Sequence, residues 1–365
     1  MKIPLYRPYI SENEVSAILR VLKSRKLSKG KEVELFEKEF AHYVGKKYAI
    51  AVNSGTSGLH ILTRVFGWKK GDEIITTPFS YIASANALLF EGVTPVFVDI
   101  DPNTLNIDTE KIEEKITSKT KGILLVHIFG LPVDYSKIKK IRDKYKLQII
   151  EDACEAIGKP SDNFIITKLG KATVYGFHEN KQMTSGGEGG MIVTDDPVFA
   201  QKCWSMRDQG RSLKKNWIKN VILGFNFRMT EIQAAFGKEQ LKIIDKMLSR
   251  REEIAQEYSN LMHNIKGIIT PHQMVTIKRS WFVYFILLKN NKIRDKVSKA
   301  LLKDEIISSI NYFPPIYNFP MYAKCKKGCV VANNISKRLL VLPMFYEMSN
   351  KEIQQVVNIV RDSLT

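Results

Sequence analysis

Tyr48-Ala49-Ile50-Ala51-Val52-Asn53-Ser54-Gly55-Thr56-Ser57-Gly58, followed by apolar residues at helical spacing over 59–66, is the stretch that decides the fold. An unbroken apolar run such as 48–52 is the mark of a strand buried on both faces. It feeds a helix through a short Ser/Gly turn, the opening of a strand–helix–strand unit. At that helix start, free N–H groups and the helix dipole favour a phosphate. Gly55 leaves the backbone accessible, and Thr56 and Ser57 can add hydroxyls. No Walker lysine follows and no G-x-G-x-x-G is present, which disfavours a nucleoside triphosphate or a Rossmann dinucleotide. The turn reads equally as an ordinary Ser-capped helix.

Working outward, the alternation continues. Helices are expected over 13–24 and 31–44. A strand over 73–77 and a helix over 81–90 come next, then strands over 95–100 and 122–127. A helix over 136–145 leads to a strand over 147–150, which ends at Glu151-Asp152. Near-continuously apolar strands alternating with helices predict a mainly parallel sheet covered on both faces. Past residue 245 the pattern changes. A long helix over 230–260 precedes a strand-like run at 281–288, a helix over 292–303, a Pro-rich segment at 313–315 and a helix over 350–363. The fold class is therefore α/β, with a large domain over 1–245 and a smaller C-terminal α+β domain over 246–365.

A second informative stretch is 172–194. A β-type run leads to Lys181, then to a turn with glycine at 186, 187, 189 and 190, then to another apolar strand. Such a turn lets the backbone crowd against a neighbour or adopt positive φ. A desolvated lysine loses its proton readily and becomes nucleophilic, so Lys181 is a candidate covalent anchor for an aldehyde cofactor. A hairpin with a surface lysine is the plainer reading.

At 365 residues and 44% hydrophobic, the chain can bury the cores of about two domains. No apolar run approaches the roughly 18 residues that span a bilayer, and the first residues lack the apolar core of a signal peptide. A cytoplasmic protein is expected. The four cysteines have no zinc-site spacing and read as reduced thiols, and no metal site is expected. The net charge of +18 attracts polyanions, either nucleic acid or anionic small molecules such as nucleotide diphosphates. No aromatic-interleaved basic motif favours nucleic acid.

Two further residues sit at strand ends. Asp152 ends a buried strand, the edge where open α/β sheets bind ligands. A carboxylate there must meet a cation or strong donors, and a protonated pyridine nitrogen would serve; capping of the following turn is the alternative. Tyr81 opens a helix at the same edge and could stack on a flat ring or belong to the core. Together, a phosphate seat, a ring stacker, a carboxylate and an isolated lysine are the parts that pyridoxal 5′-phosphate (PLP) requires.

With these residues in view, the chain resembles the DegT/DnrJ/EryC1/StrS family of PLP-dependent nucleotide-sugar aminotransferases over nearly its whole length. The segments that carry the resemblance are Asn53-Ser54-Gly55-Thr56, Gly71-Asp72-Glu73, Pro95-Val96-Phe97-Val98-Asp99-Ile100, Glu151-Asp152-Ala153, Lys181 with Gly187-Glu188-Gly189-Gly190, and Gly224-Phe225-Asn226-Phe227-Arg228-Met229. The resemblance implies an aspartate-aminotransferase-like fold (PLP fold type I). It implies transfer of an amino group from L-glutamate to a keto group of a nucleotide-diphosphate deoxysugar, in amino-sugar and surface polysaccharide biosynthesis. Lys181 would be the covalent anchor and proton carrier, Asp152 the partner of the ring nitrogen and Tyr81 the stacking ring. Gly55, Thr56 and Ser57 would hold the phosphate. Asn226 would reach the cofactor of a neighbouring subunit, in a homodimer with shared sites.

Three positions depart from the family pattern. Gly176 stands where the family often has a phosphate-binding serine. Glu155 replaces the usual glutamine near the cofactor's phenolate oxygen, and an ionised carboxylate would be repelled there, so Glu155 should be protonated or turned away. Pro315-Ile316-Tyr317 replaces a Pro-Leu-His that borders the substrate in relatives. Two rival readings are a PLP-dependent sugar dehydratase and a basic DNA-binding regulator. The dehydratases carry His at the lysine position, whereas here Lys181 is present and His178 is offset by three. The regulator rests on the +18 charge alone, without a helix-turn-helix.

Overall fold

The computed structural model describes residues 3–161, 163–212, 219–272, 276–310, 312, 314–325 and 328–364. Residue 313 of the Pro-rich segment lies outside them. Seven strands, β1 (Tyr48–Val52), β2 (Glu73–Thr76), β3 (Thr94–Phe97), β4 (Thr120–Val126), β5 (Gln148–Asp152), β6 (Ala172–Gly176) and β7 (Gly190–Thr194), form one sheet in the order β1-β7-β6-β5-β4-β2-β3. The pairs among β2 to β6 are parallel, and β7 runs antiparallel between β1 and β6. The sheet is thus mainly parallel.

Helices α1 (Glu12–Ser24), α2 (Lys31–Tyr43), α3 (Gly55–Val65), α4 (Ala83–Leu89), α5 (Tyr135–Tyr145) and α6 (Pro197–Arg207) accompany it. Side chains on β1 alternate between two cores, as the pleat requires. Ile50 and Val52 join one cluster with Leu59, Leu62, Leu124, Val174 and Ile192. Ala49 and Ala51 join another with Phe36, Phe40, Tyr175 and Phe177.

The helix expected at 59–66 starts earlier, at Gly55. The reason is its cap: the Ser54 hydroxyl accepts the Ser57 N–H at 3.1 Å, so the Ser/Gly turn is itself the first helical turn. The strand expected at 281–288 starts later, at Tyr284, because Trp281 adopts φ +47° and breaks the pleat.

The long helix α7 runs from Glu231 to Met262 behind a capping box of Thr230 and Gln233. A second, three-stranded antiparallel sheet contains β8 (Ile268–Ile269), β9 (Tyr284–Leu288) and β10 (Leu339–Leu342), in the order β10-β9-β8. It is flanked by α8 (Asn291–Lys303), α9 (Val330–Arg338) and α10 (Asn350–Asp362). Residue 245 falls inside α7, whose Leu241, Ile244 and Met247 pack with Phe36 and Phe40, while Ile254, Ala255 and Tyr258 pack with Tyr284, Leu340 and Val356. Ile3, at the other end of the chain, belongs to the latter core and bridges Ile306. The second sheet also meets the first core, through Phe285 and Val341, and Phe282 just before β9 joins them. That contact puts residues from both regions around one cavity. No helix of the described residues is long and apolar enough to cross a membrane.

Candidate active site

The C-terminal end of β1 meets the start of β7 at close range. Val52 pairs with Gly190, and Gly190 also pairs with Gly176 at the end of β6. A Cβ on Gly190 would lie 2.6 Å from the Ser54 carbonyl carbon and 2.7 Å from the Gly55 nitrogen. Only glycine allows the strand to lie against the α3 start so closely. In α3 the Ser54 hydroxyl takes the Ser57 N–H and the Ser54 carbonyl takes the Gly58 N–H at 3.2 Å. The N–H groups of Gly55 and Thr56, at the first two helical positions, have no carbonyl one turn back and remain for an anion.

Asp152 ends β5 and is 4% exposed. Its Oδ2 accepts from Ser84 Oγ at 2.7 Å, and its Oδ1 accepts from the Cys154 N–H at 3.1 Å. Ser84 contacts Ser80, in the bend before α4, at 2.9 Å. The carboxylate is therefore held in a fixed orientation at the sheet edge.

Lys181 follows β6 in the turn before the glycines. Its Nζ lies 3.8 Å from Glu155 Oε1 and 3.9 Å from the centroid of the Phe282 ring, with the lysine side chain 14% exposed. Glu155 is buried, and its Oε2 accepts the Phe129 N–H at 2.9 Å. Burial pushes Glu155 up to about 7, against the opposing pull of Lys181 and the Phe129 N–H. Glu155 thus lies in the cavity rather than turned away from it.

These groups converge on a cavity of about 540 Å³, within the range of small-molecule and cofactor sites. Gly55, Thr56, Tyr81, Asp152, Glu155 and Lys181 all line it. Tyr81 forms an open wall, 63% exposed. Ser57 and Asn226 stand apart. The Ser57 hydroxyl donates to Asn53 Oδ1 at 2.6 Å and sits 2.9 Å from Ser54 Oγ, so it braces the turn rather than facing the cavity. Asn226 is on the surface, bridged to Asp208. Tyr317 is buried elsewhere, donating to the Cys329 carbonyl at 3.1 Å.

Further lining residues complete the site. Ser84 orients Asp152, and Phe282 and Tyr312 enter from the C-terminal region. A signal for Ser84 lay in its i+4 spacing from Ser80; none marks Phe282 or Tyr312 locally. Gly176 packs close against Cys154: a Cβ at 176 would come 3.2 Å from the Cys154 Cβ, a tight contact. Among the described residues, no group of three or more His, Cys, Asp or Glu could hold a metal ion.

The arrangement fits PLP. It offers a glycine-walled helix start for a phosphate, a fixed buried carboxylate for a ring nitrogen, and a shielded amine for an aldehyde, all around one space.

Comparison with known proteins agrees. The family model described as the DegT/DnrJ/EryC1/StrS aminotransferase family matches residues 8–361. The chain is 34% identical over 353 residues to GDP-perosamine synthase of Escherichia coli O157:H7, covering 96% of this chain and 95% of that protein. Among solved structures, Helicobacter pylori PseC, an aminotransferase involved in the biosynthesis of pseudoaminic acid, gives a TM-score of 0.93 at 30% identity, covering 100% of this chain and 99% of that one. The structure of ntda from Bacillus subtilis with bound cofactor PMP gives 0.89 at 31% identity, covering 97% and 83%. The fold is the α/β fold of type I PLP aminotransferases.

Proposed function

We propose, for a chain that belongs to the DegT/DnrJ/EryC1/StrS aminotransferase family, that it moves an amino group from L-glutamate to a keto group of a nucleotide-diphosphate deoxysugar. The enzyme is an aminotransferase, and its cofactor is PLP. The observation that carries the substrate reading is the site's composition together with relatives named as nucleotide-sugar enzymes. The +18 charge supports an anionic, diphosphate-linked substrate and an acidic donor.

PLP, when bound, supplies an electron sink for the carbon beside the transferred nitrogen. The protein does the rest. The Gly55 and Thr56 N–H groups and the α3 dipole would hold the phosphate. Asp152, aligned by Ser84 and the Cys154 N–H, would keep a proton on the ring nitrogen. Tyr81 would line the space beside the ring. Lys181 Nζ would be the group that anchors the aldehyde and that carries a proton between the two carbons. Phe282 and Tyr312 keep water from that amine.

The working unit is a homodimer in which Asn226 reaches the neighbour's cofactor. Exposed apolar residues on α1 (Val15, Leu19, Leu22), and separately Leu223 near Asn226, support burial against a second copy. The product feeds amino-sugar or polysaccharide synthesis, and the four free cysteines suit a reducing cytoplasm. The test is Lys181→Ala. It should lose both the cofactor's visible absorbance and amino transfer to 4-keto or 3-keto nucleotide sugars; transfer at the wild-type rate sinks the assignment.

A further inference from the structure

Glu155 and Lys181 do more than share a cavity wall. The two Glu155 oxygens have separate tasks. Oε2 is fixed by the Phe129 N–H at 2.9 Å, and Oε1 is left to face Lys181 Nζ at 3.8 Å. Glu155 is 4% exposed, so water screens this pair little. The other titratable groups around Glu155 are Asp152, Cys154 and Tyr312. Asp152 is already engaged by Ser84 and the Cys154 N–H. Burial holds the Cys154 thiol and the Tyr312 hydroxyl in their protonated forms. Among the described residues, Lys181 is the one cation within 4.0 Å of the Glu155 carboxylate.

Building on the assignment of Lys181 as the cofactor anchor, we propose that Glu155 is the proton partner of Lys181, taking a proton from its ammonium to expose the lone pair and giving it back. Rotation of the lysine stem closes the 3.8 Å gap to hydrogen-bond distance; in each transfer one N–H bond on Nζ then breaks and one O–H bond on Oε1 forms, and the net charge of the pair stays zero. The lysine needs this exchange. Its lone pair must be free to attack an aldehyde or take a proton from carbon. A buried amine without a counter-charge would stay neutral with its lone pair free, but would have no ammonium proton to return to carbon. With burial pushing it up to about 7, the Glu155 carboxyl can run in either direction near neutral pH. A purely structural Glu155 would only anchor the turn at Phe129, whose φ of +52° lies in the left-handed region.

The test uses the full-length protein stripped of cofactor. Its amines are labelled with trace formaldehyde and cyanoborohydride from roughly pH 6 to 10, spanning the ordinary carboxyl-to-lysine interval, and labelling at Lys181 is read by peptide mass spectrometry. Glu155→Gln keeps an oxygen for the Phe129 N–H and removes the counter-charge. The Lys181 midpoint should fall by about one pH unit or more, labelling it about tenfold faster on the acidic limb, while Lys238 is unchanged. An unmoved midpoint overturns the proposal and leaves Glu155 as an anchor for Phe129. Should Glu155→Gln not fold, Lys181→Met replaces it. The infrared band of the protonated Glu155 carboxyl should then persist to a pH higher by about one unit or more than in wild type; no displacement overturns the proposal equally. No cofactor enters either measurement, so their failure leaves the cofactor assignment standing, whereas failure of the wild-type protein to take up PLP would sink that assignment alone.

Discussion

Gly190→Ala should loosen the phosphate seat by displacing the backbone that carries the Gly55 N–H. The added Cβ would meet the Ser54 carbonyl carbon at 2.6 Å and the Gly55 nitrogen and Ser54 oxygen at 2.7 Å. Ordinary contact begins near 3.4 Å, and contacts below 3.0 Å are essentially never seen. All three neighbours are backbone atoms, so no rotamer change relieves the clash. Either β7 slides out of register with β1 and β6, or the α3 start is pushed away by several tenths of an ångström. Overpacking of this kind costs about 1–3 kcal/mol. Expressed at the seat, that weakens PLP binding roughly five- to 150-fold. The assay is equilibrium titration of cofactor-free protein with PLP, followed by absorbance, alongside urea unfolding.

Gly187→Ala is the control. It lies three residues away at φ +114° with nothing within 4 Å of its Cβ. It should lose about 1–3 kcal/mol through backbone strain and bind PLP as wild type does. A Gly190→Ala protein that binds PLP within about twofold of wild type would refute the close-approach reasoning.

The pH dependence of stability should separate wild type from Glu155→Gln. The folded state holds the Glu155 proton up to about 7 against an ordinary 4.5, so its stabilising contribution is complete below the ordinary value and is lost as pH rises through about 7. The variant should gain about 3 kcal/mol relative to wild type between acid and alkaline pH, read by denaturant unfolding of cofactor-free protein; parallel profiles would contradict it. Ser84→Ala removes a buried 2.7 Å bond to Asp152 and should lower kcat about tenfold with little change in KM, in line with hydrogen bonds to charged groups; steady-state kinetics decide. Asn226→Ala should loosen the cofactor, and mixing it with Lys181→Ala should restore activity through hybrid dimers that carry one intact site. Absence of complementation counts against a shared site.

Much of this was readable from residue order. The strand-turn-helix at 48–66 shows its nature because a fully buried strand and a capped helix have distinct periodicities. Lys181, Asp152 and the turn at Gly55-Thr56 announce themselves as polar or glycine residues at strand ends. What escaped were contacts across long sequence distances. Phe282 and Tyr312 are ordinary aromatics until the fold sets Phe282 over Lys181 and Tyr312 against Phe282 on the same cavity wall. Ser57 reads as a phosphate ligand from its place beside the seat, whereas the bonds its hydroxyl makes to Asn53 and Ser54 depend on a turn geometry the sequence does not spell out. The late start of β9 follows from one backbone angle at Trp281, which no side-chain pattern encodes.

The 32 residues of α7 make a rod roughly 48 Å long whose two ends are rooted in different cores. An engineer who wished to change sugar preference by exchanging C-terminal portions between relatives would have to treat that rod as indivisible. A splice at 245 would ask residues evolved against one neighbour to rest on another. A splice before Thr230 would carry the rod along, and would then require its first turns to fit a foreign α2, whose opening N–H groups are held by the Glu231 carboxylate. Grafting is therefore more promising inside the loops that reach the cavity than at any boundary between the two sheets.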